Sequence, residues 1–358
     1  MQIVRAAVCH DTDRPLVIQD VQMAAPHGRG VEVTIKACAI CHSDISYAEG
    51  HWDCPKPAVF GHEAAGVITA VGDEVTSYSV GDHVIVTLIR ACGTCSHCGT
   101  GSPVNCENPS DLSPLTMPDG TPVFQAMKSG AFAEKVVVDQ SQLAKIPQDM
   151  PFDAASLLAC GVITGLGSVI NSAALRPGQD AVVIGAGGVG LNAIQGARIA
   201  GARRIVAVDV LPEKLDDAKT FGATDGVLAT EDAPWDKVRD ILGKGTDAVF
   251  VTVGALPAHE TAVKYLAPGG KAMIVGMPPD EASVPFVPVD FAASGLQVVG
   301  SPMGDAVLPR DIPWLTDLYQ QGRLQLDELI SGRWSLDQIN DAIADTKSGT
   351  ARRNVIIF

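Results

Sequence analysis

The chain has 358 residues, 46% hydrophobic and 19% charged, a balance that fits a globular fold of about two or three domains and excludes a disordered chain. Its 26 Lys and Arg stand against 41 Asp and Glu, and the net charge of -15 repels phosphate backbones and anionic bilayers, so neither nucleic acid nor a membrane surface is an expected partner. The start, MQIVRAAVCHDTDRP, lacks the apolar core of a secretory signal, and nine clustered cysteines, odd in number, point to thiols and metal in a reducing cytoplasm.

Short β-like runs fill the first third: VEVTIKA (31–37), AAGVITAVG (64–72), DHVIVTL (82–88) and EKVVVD (134–139), punctuated by Gly, Pro and Asp. They predict a mainly β module with irregular loops. The stretch 154–175 carries no charge and is long enough to span a bilayer, but Ser156, Thr164, Ser168, Asn171 and Ser172 favour a buried helix and its approach. From Asp180, apolar strands alternate with helical stretches: DAVVIGAG, GVGLNAIQGARIAG, RRIVAVDV, PEKLDDAKTFG, TDAVFVTVG, HETAVKYLAPGG, KAMIVGM and LQVVGS. Near-continuous Val, Ile and Ala is what a parallel sheet covered on both faces requires, so the expectation is a doubly wound α/β domain. Helix-like IPWLTDLYQQG and SLDQINDAIADTKSG follow, in a tail expected to return to the first module.

Within VVIGAGGVGLNAIQ, Gly185, Gly187 and Gly190 form G-x-G-x-x-G, with Gly188 and Val189 completing the loop. A strand precedes it, a helix follows, and the next strand ends in Asp209, nineteen residues past Gly190. Such glycines bring backbone N–H groups to a pyrophosphate at a helix N-terminus. Asp209 can accept from ribose hydroxyls and would repel a 2′-phosphate, which favours NAD over NADP. A nucleotide-free domain of the same fold is the alternative.

Cys92, Cys95, Cys98 and Cys106 form C-x2-C-x2-C-x7-C inside residues 91–106. Four thiolates on one lobe satisfy tetrahedral zinc with no open position, so the expected work is folding the lobe. An iron–sulfur cluster or free thiols are the rivals. The full cysteine set leaves His97 without a role. Cys41, His42, Ser43 and Asp44, then His62 and Glu63, then Cys160 are each weak signals alone.

Taken together, Gly-His-Glu before a small-residue strand, the earlier Cys-x-Ser-Asp, the four-cysteine lobe and the glycine loop resemble the zinc-dependent medium-chain alcohol dehydrogenases over essentially the whole chain. The resemblance implies a Rossmann doubly wound parallel-sheet domain plus a mainly β GroES-like catalytic domain. The expected bounds are 1–160 for the catalytic domain with its lobe 91–106, 161–300 for the NAD-binding domain, and 301–358 for the returning segment. It implies that Cys41, His62 and Cys160 bind a catalytic zinc, with Glu63 behind the metal and Asp44 orienting His62. Thr164, Val275, Gly276 and Met277 would line the nicotinamide, Lys214 would join Asp209 at the ribose, and His42 and Arg353 would approach the pyrophosphate. Trp52 and Leu88 are candidate walls of the substrate pocket, and Cys9, Cys38 and Cys54 are read as structural thiols.

The implied chemistry is zinc-assisted hydride transfer between a primary or secondary alcohol and NAD, in a homodimer or homotetramer. Ser43 is placed to take the alcohol proton. Many relatives pass it on to a histidine five residues after the first zinc cysteine, where this chain has Ser46, a poor terminal base. The proton then leaves by water, or by His51 if its loop folds inward. A rival within the superfamily is an S-(hydroxymethyl)glutathione or polyol dehydrogenase, for which Arg90 is the one nearby arginine. A non-catalytic NAD- and zinc-binding interaction protein would have lost a ligand or a cofactor glycine, and none is missing.

Overall fold

The computed structural model describes residues 1–110 and 112–358, which divide into two compact units, 1–160 with 307–358 and 161–306. In the first unit, Val17–Met23 and Gln2–Cys9 pair antiparallel at the centre of a five-stranded sheet. The second sheet is built on Gly30–Ala39, which lies between Glu63–Val71 and Arg353–Ile357 and also pairs Lys135–Asp139. His83–Val86 and Leu143–Lys145 extend it at one end, and Ile330–Ser335 closes the other. Val4, Val33, Ile35, Phe60, Ile68, Phe132 and Val136 pack one core from both sheets. The four β-like runs of the sequence correspond to strands here. The mainly β character follows from alternation, with Val31, Val33 and Ile35 pointing inward along one face.

The second unit is a six-stranded parallel sheet in the spatial order Asp225–Leu228, Arg204–Asp209, Asp180–Ile184, Thr246–Val251, Leu266–Ile274 and Gln297–Gly300. This is the 3-2-1-4-5-6 order of a doubly wound dinucleotide fold. Every residue of Asp180–Ile184 is buried, as helices on both faces demand. Helix Gly188–Ile199 follows the first strand, and Pro212–Phe221 follows the second with proline at its first turn. Most of the uncharged stretch lies in a helix, Phe152–Ser172, that is largely buried.

The sequence put the returning segment at 301–358, whereas residues 301–306 belong to the second unit. Asn171 Nδ2 donates to the Gly304 carbonyl at 3.0 Å, and the Ser172 and Ser301 hydroxyls lie 2.7 Å apart. Those bonds are local to the helix Phe152–Ser172, so the chain leaves the unit only after them.

Candidate active site

Cys41 is the N-cap of helix His42–Ala48, and His62 and Glu63 open the strand Glu63–Val71 and its approach. Cys160 sits in a π-helical turn, Leu158–Val162, an element that recurs at functional sites. One ligand atom each from Cys41, His62, Glu63 and Cys160 falls within 4.8 Å of the others, and all four residues are buried. Asp44, itself 1% exposed, holds the group together. Its Oδ2 accepts from the Cys41 N–H at 3.0 Å, and its Oδ1 accepts from Gly61 N–H at 2.9 Å and lies 3.1 Å from His62 Nδ1.

With Nδ1 facing a carboxylate, His62 presents Nε2 to the two sulfurs. That nitrogen is buried and has no hydrogen-bond partner among the described residues. A buried polar atom left so is costly unless something absent from the protein itself satisfies it. Two thiols and one such imidazole are the donor set of a catalytic zinc with an open position, and they fit one. Hydrogen bonding with Cys160 pulls the Cys41 thiol well below its usual range, while the same contact and burial push Cys160 well above. Burial works against a charge on His62, but the Asp44 carboxylate and Cys41 raise its basicity well above the ordinary value. Burial pushes Glu63 up to about 7, against the Arg353 guanidinium that ion-pairs with it.

The other cysteine group is Cys92, Cys95, Cys98 and Cys106, whose sulfurs also lie within 4.8 Å of one another. N–H groups of Thr94 and Cys95 point at Cys92 Sγ at 3.4 and 3.3 Å, and Cys92 N–H points at Cys106 Sγ at 3.2 Å. Those donors from the Thr94 backbone and its neighbours bring the Cys92 thiol down to about 6. Four sulfurs with backbone donors fit a closed zinc site. His97 lies outside the group, 3.4 Å from Glu107.

In the second unit, the three glycines have three different reasons to be glycine. Gly185 has φ +94°, which makes the tight turn. A Cβ on Gly190 would stand 1.7 Å from the Gly185 carbonyl oxygen, so helix and strand could not close. A Cβ on Gly187, the N-cap, would meet nothing within 4 Å, so the helix N-terminus opens onto free space where a phosphate fits. Asp209 Oδ2 accepts from Ala186 N–H at 2.7 Å and Oδ1 from Leu211 N–H at 3.1 Å, which fixes the carboxylate at the mouth of this loop.

Residues 27–148 match the model of the alcohol dehydrogenase GroES-like domain, and residues 188–321 match that of the zinc-binding dehydrogenases. The putative alcohol dehydrogenase D of Mycobacterium tuberculosis is 34% identical over 98% of this chain and 99% of its own length. The chain belongs to the zinc-dependent medium-chain alcohol dehydrogenase family. An S-(hydroxymethyl)glutathione dehydrogenase of Paracoccus denitrificans is 32% identical, covering 99% of each chain. The crystal structure of benzyl alcohol dehydrogenase from Acinetobacter calcoaceticus superposes with a TM-score of 0.93 at 30% identity over 100% of both chains. As a member of this alcohol dehydrogenase family, the protein is a zinc-dependent oxidoreductase acting on small-molecule alcohols.

The remaining predicted residues fall as follows in this dehydrogenase. His42 is exposed and Ser43 half-buried on the first turn after Cys41. His51 is exposed, with Nδ1 4.0 Å from Glu49. Trp52 packs edge-on against Tyr47 with ring centres 5.3 Å apart, and Leu88 is half-buried. Thr164 and Lys214 are buried. Val275 and Gly276 both donate to the Val251 carbonyl at the end of the parallel sheet, and Met277 is 63% exposed. Cys9, Cys38 and Cys54 are buried thiols, pushed up by burial, as inert core residues are. The sequence did not reveal one contact of a residue it named, nor the role of the glycine before His62. Arg353 was expected at the pyrophosphate, and here its guanidinium is 7% exposed against Glu63. Gly61 has φ +91°, and a Cβ there would stand 2.6 Å from Phe132 N, so the residue before His62 must be glycine. Arg90, the candidate anion contact, is buried and bonded to Gln142, Ser110 and Lys128.

Proposed function

We propose that this chain is an NAD-linked alcohol dehydrogenase whose catalytic zinc is held by Cys41, His62 and Cys160, interconverting an uncharged primary or secondary alcohol and its aldehyde or ketone. The observation that carries the reading is the buried His62 Nε2, turned to two thiols by Asp44 and otherwise unpartnered among the described residues. Zinc bound there supplies Lewis acidity toward the substrate oxygen, and NAD supplies the hydride acceptor. Asp44 keeps His62 in the tautomer that frees Nε2. Glu63 stands beside the ligands with its charge answered by Arg353. Ser43 accepts the alcohol proton at Oγ, and it leaves through water or His51, because Ser46 cannot serve as a terminal base.

In this reading, residues 1–160 with the C-terminal return form the catalytic domain, the lobe 91–106 holds a second, structural zinc, and 161–300 hold the cofactor. Gly185 to Gly190 accept the pyrophosphate, Asp209 and Lys214 the ribose, and Thr164, Val275, Gly276 and Met277 the nicotinamide. Trp52 and Leu88 shape the pocket. The fixed Asp209 carboxylate supports NAD over NADP. The edge strand Gln297–Gly300 and the exposed Phe286, Val287, Val289 and Val298 support a homodimer or homotetramer. The clustered cysteines, none of them in a disulfide among the described residues, support a cytoplasmic setting.

The named glutathione-adduct relative supports a second reading, but the buried Arg90 weighs against a charged substrate at that position. Steady-state rates of NADH formation across alcohols of different length and branching, and with formaldehyde with and without glutathione, test both. Turnover of simple alcohols without glutathione is the expected outcome; absolute dependence on glutathione would replace it with the second reading. Within the relay, Ser43→Ala with undiminished turnover, or His51→Gln with an unchanged pH–rate profile, would remove that residue.

A further inference from the structure

We propose that Arg90 is a positioning residue that clamps the turn at Met127–Lys128 to the root of the four-cysteine lobe and thereby fixes His62 in the metal site. The proposal rests on Cys41, His62 and Cys160 being the metal ligands.

Arg90 lies two residues before Cys92 and is 4% exposed. Its Nε donates to Gln142 Oε1 at 2.7 Å, its Nη1 to the Ser110 carbonyl at 3.0 Å, and its Nη2 to the Lys128 carbonyl at 2.7 Å. Ser110 lies four residues past Cys106, the last cysteine of the lobe, and the next residue after Arg90, Ala91, donates its N–H to Ser141 Oγ at 2.9 Å. One planar fork thus joins the two flanks of the lobe to a distant turn. An ammonium cannot do this, because it lacks the fixed divergent donors.

The turn needs holding. Met127 and Lys128 have φ of +48° and +59°, in the left-handed region that side chains with a Cβ disfavour. Such conformations persist where surroundings over-determine them, and here the Lys128 carbonyl receives both Arg90 Nη2 and Gln142 Nε2, the latter at 3.0 Å. Beyond the turn, Ala131 N–H donates to the Gly61 carbonyl and Phe132 N–H to the Phe60 carbonyl, each at 2.8 Å. Phe60 and Gly61 carry the backbone directly into His62, and Gly61 has no Cβ to keep the two segments apart. A metal ligand tolerates only about 0.5 Å of misplacement. A turn that relaxes out of the left-handed region would move the segment on which the imidazole stands.

The test uses the holoenzyme and its form with cobalt(II) exchanged into the three-residue site. Arg90→Lys keeps the charge and loses the fork. It should alter the cobalt ligand-field spectrum and release the catalytic metal to a chelator about tenfold faster, while the four-cysteine metal is retained. Lys128→Gly, which adopts φ +59° without strain, should leave both readouts unchanged alone and restore them in the double variant. An unchanged spectrum and release rate in Arg90→Lys, or a double variant no better than Arg90→Lys, would overturn the proposal. Should Arg90→Lys fail to fold, the double variant decides: native spectrum supports the clamp, and failure to fold overturns it. Wild-type enzyme that takes up no cobalt at the three-residue site would instead defeat the ligand assignment.

Discussion

The Asp44 carboxylate lies 3.1 Å from His62 Nδ1, with both side chains out of reach of water, and the same carboxylate accepts from the backbone of Cys41. One residue therefore sets the direction of two metal ligands. Asp44→Asn keeps the size but loses the charge and offers one acceptor oxygen where two are in use. Metal affinity of the three-residue site should fall by about 10–100-fold, read by chelator competition. An unchanged affinity would mean that the cluster orients itself.

Cys106→Ser should cost stability before activity. The four-cysteine lobe offers no open position, so losing one sulfur should lower the melting temperature and remove one zinc per chain. Turnover per remaining catalytic zinc should stay near wild type. A protein equally stable, with zinc lost and turnover abolished, would give the lobe a direct part in the chemistry.

Asp209→Asn removes the negative charge that guards the cofactor mouth while keeping a group able to accept from Ala186 N–H. The ratio of kcat/KM for NAD over NADP should fall at least about tenfold. If the ratio holds, Asp209 acts on the loop alone.

Glu32 gives a stability test against acid. Burial raises its pKa, but hydrogen bonds from Thr69 at 2.6 Å and Lys135 at 2.9 Å outweigh that, and its pKa is lowered overall. A folded value below the unfolded one means that the unfolded chain binds the proton more readily. The contribution is therefore present above the unfolded carboxylate range and is lost as pH falls through the folded value. Glu32→Gln should flatten the decline in melting temperature on acidification below about pH 4.5, the ordinary glutamate value. An identical decline in the variant would exclude this pair as a source.

The glycine loop and the four-cysteine lobe were legible because each is local: Gly185 to Gly190 and Cys92 to Cys106 need only a turn and its neighbours. The buried strands were legible for the same reason, through runs such as AVVI and IVAV. What the sequence left unread depends on pairing across long separations. Arg353–Ile357 inserts beside Gly30–Ala39, and no local pattern announces a partner more than three hundred residues away. That pairing carries Arg353 to Glu63, which spacing does not reveal. Arg90 stood in the sequence only as the one nearby arginine, because its acceptors at 110, 128 and 142 converge only in three dimensions. Gly61 carried a signal that could have been used, since a glycine immediately before a metal-ligand histidine suggests close backbone approach.

The central claim is that Cys41, His62 and Cys160 hold the zinc on which alcohol oxidation depends. The direct measurement is zinc content together with alcohol-dependent NADH formation in His62→Ala beside wild type. The account predicts about two zinc per chain with activity in the wild type, and about one zinc with activity lost in a variant that stays folded. A folded His62→Ala protein that keeps both metals and oxidises the alcohol at the wild-type rate would contradict it.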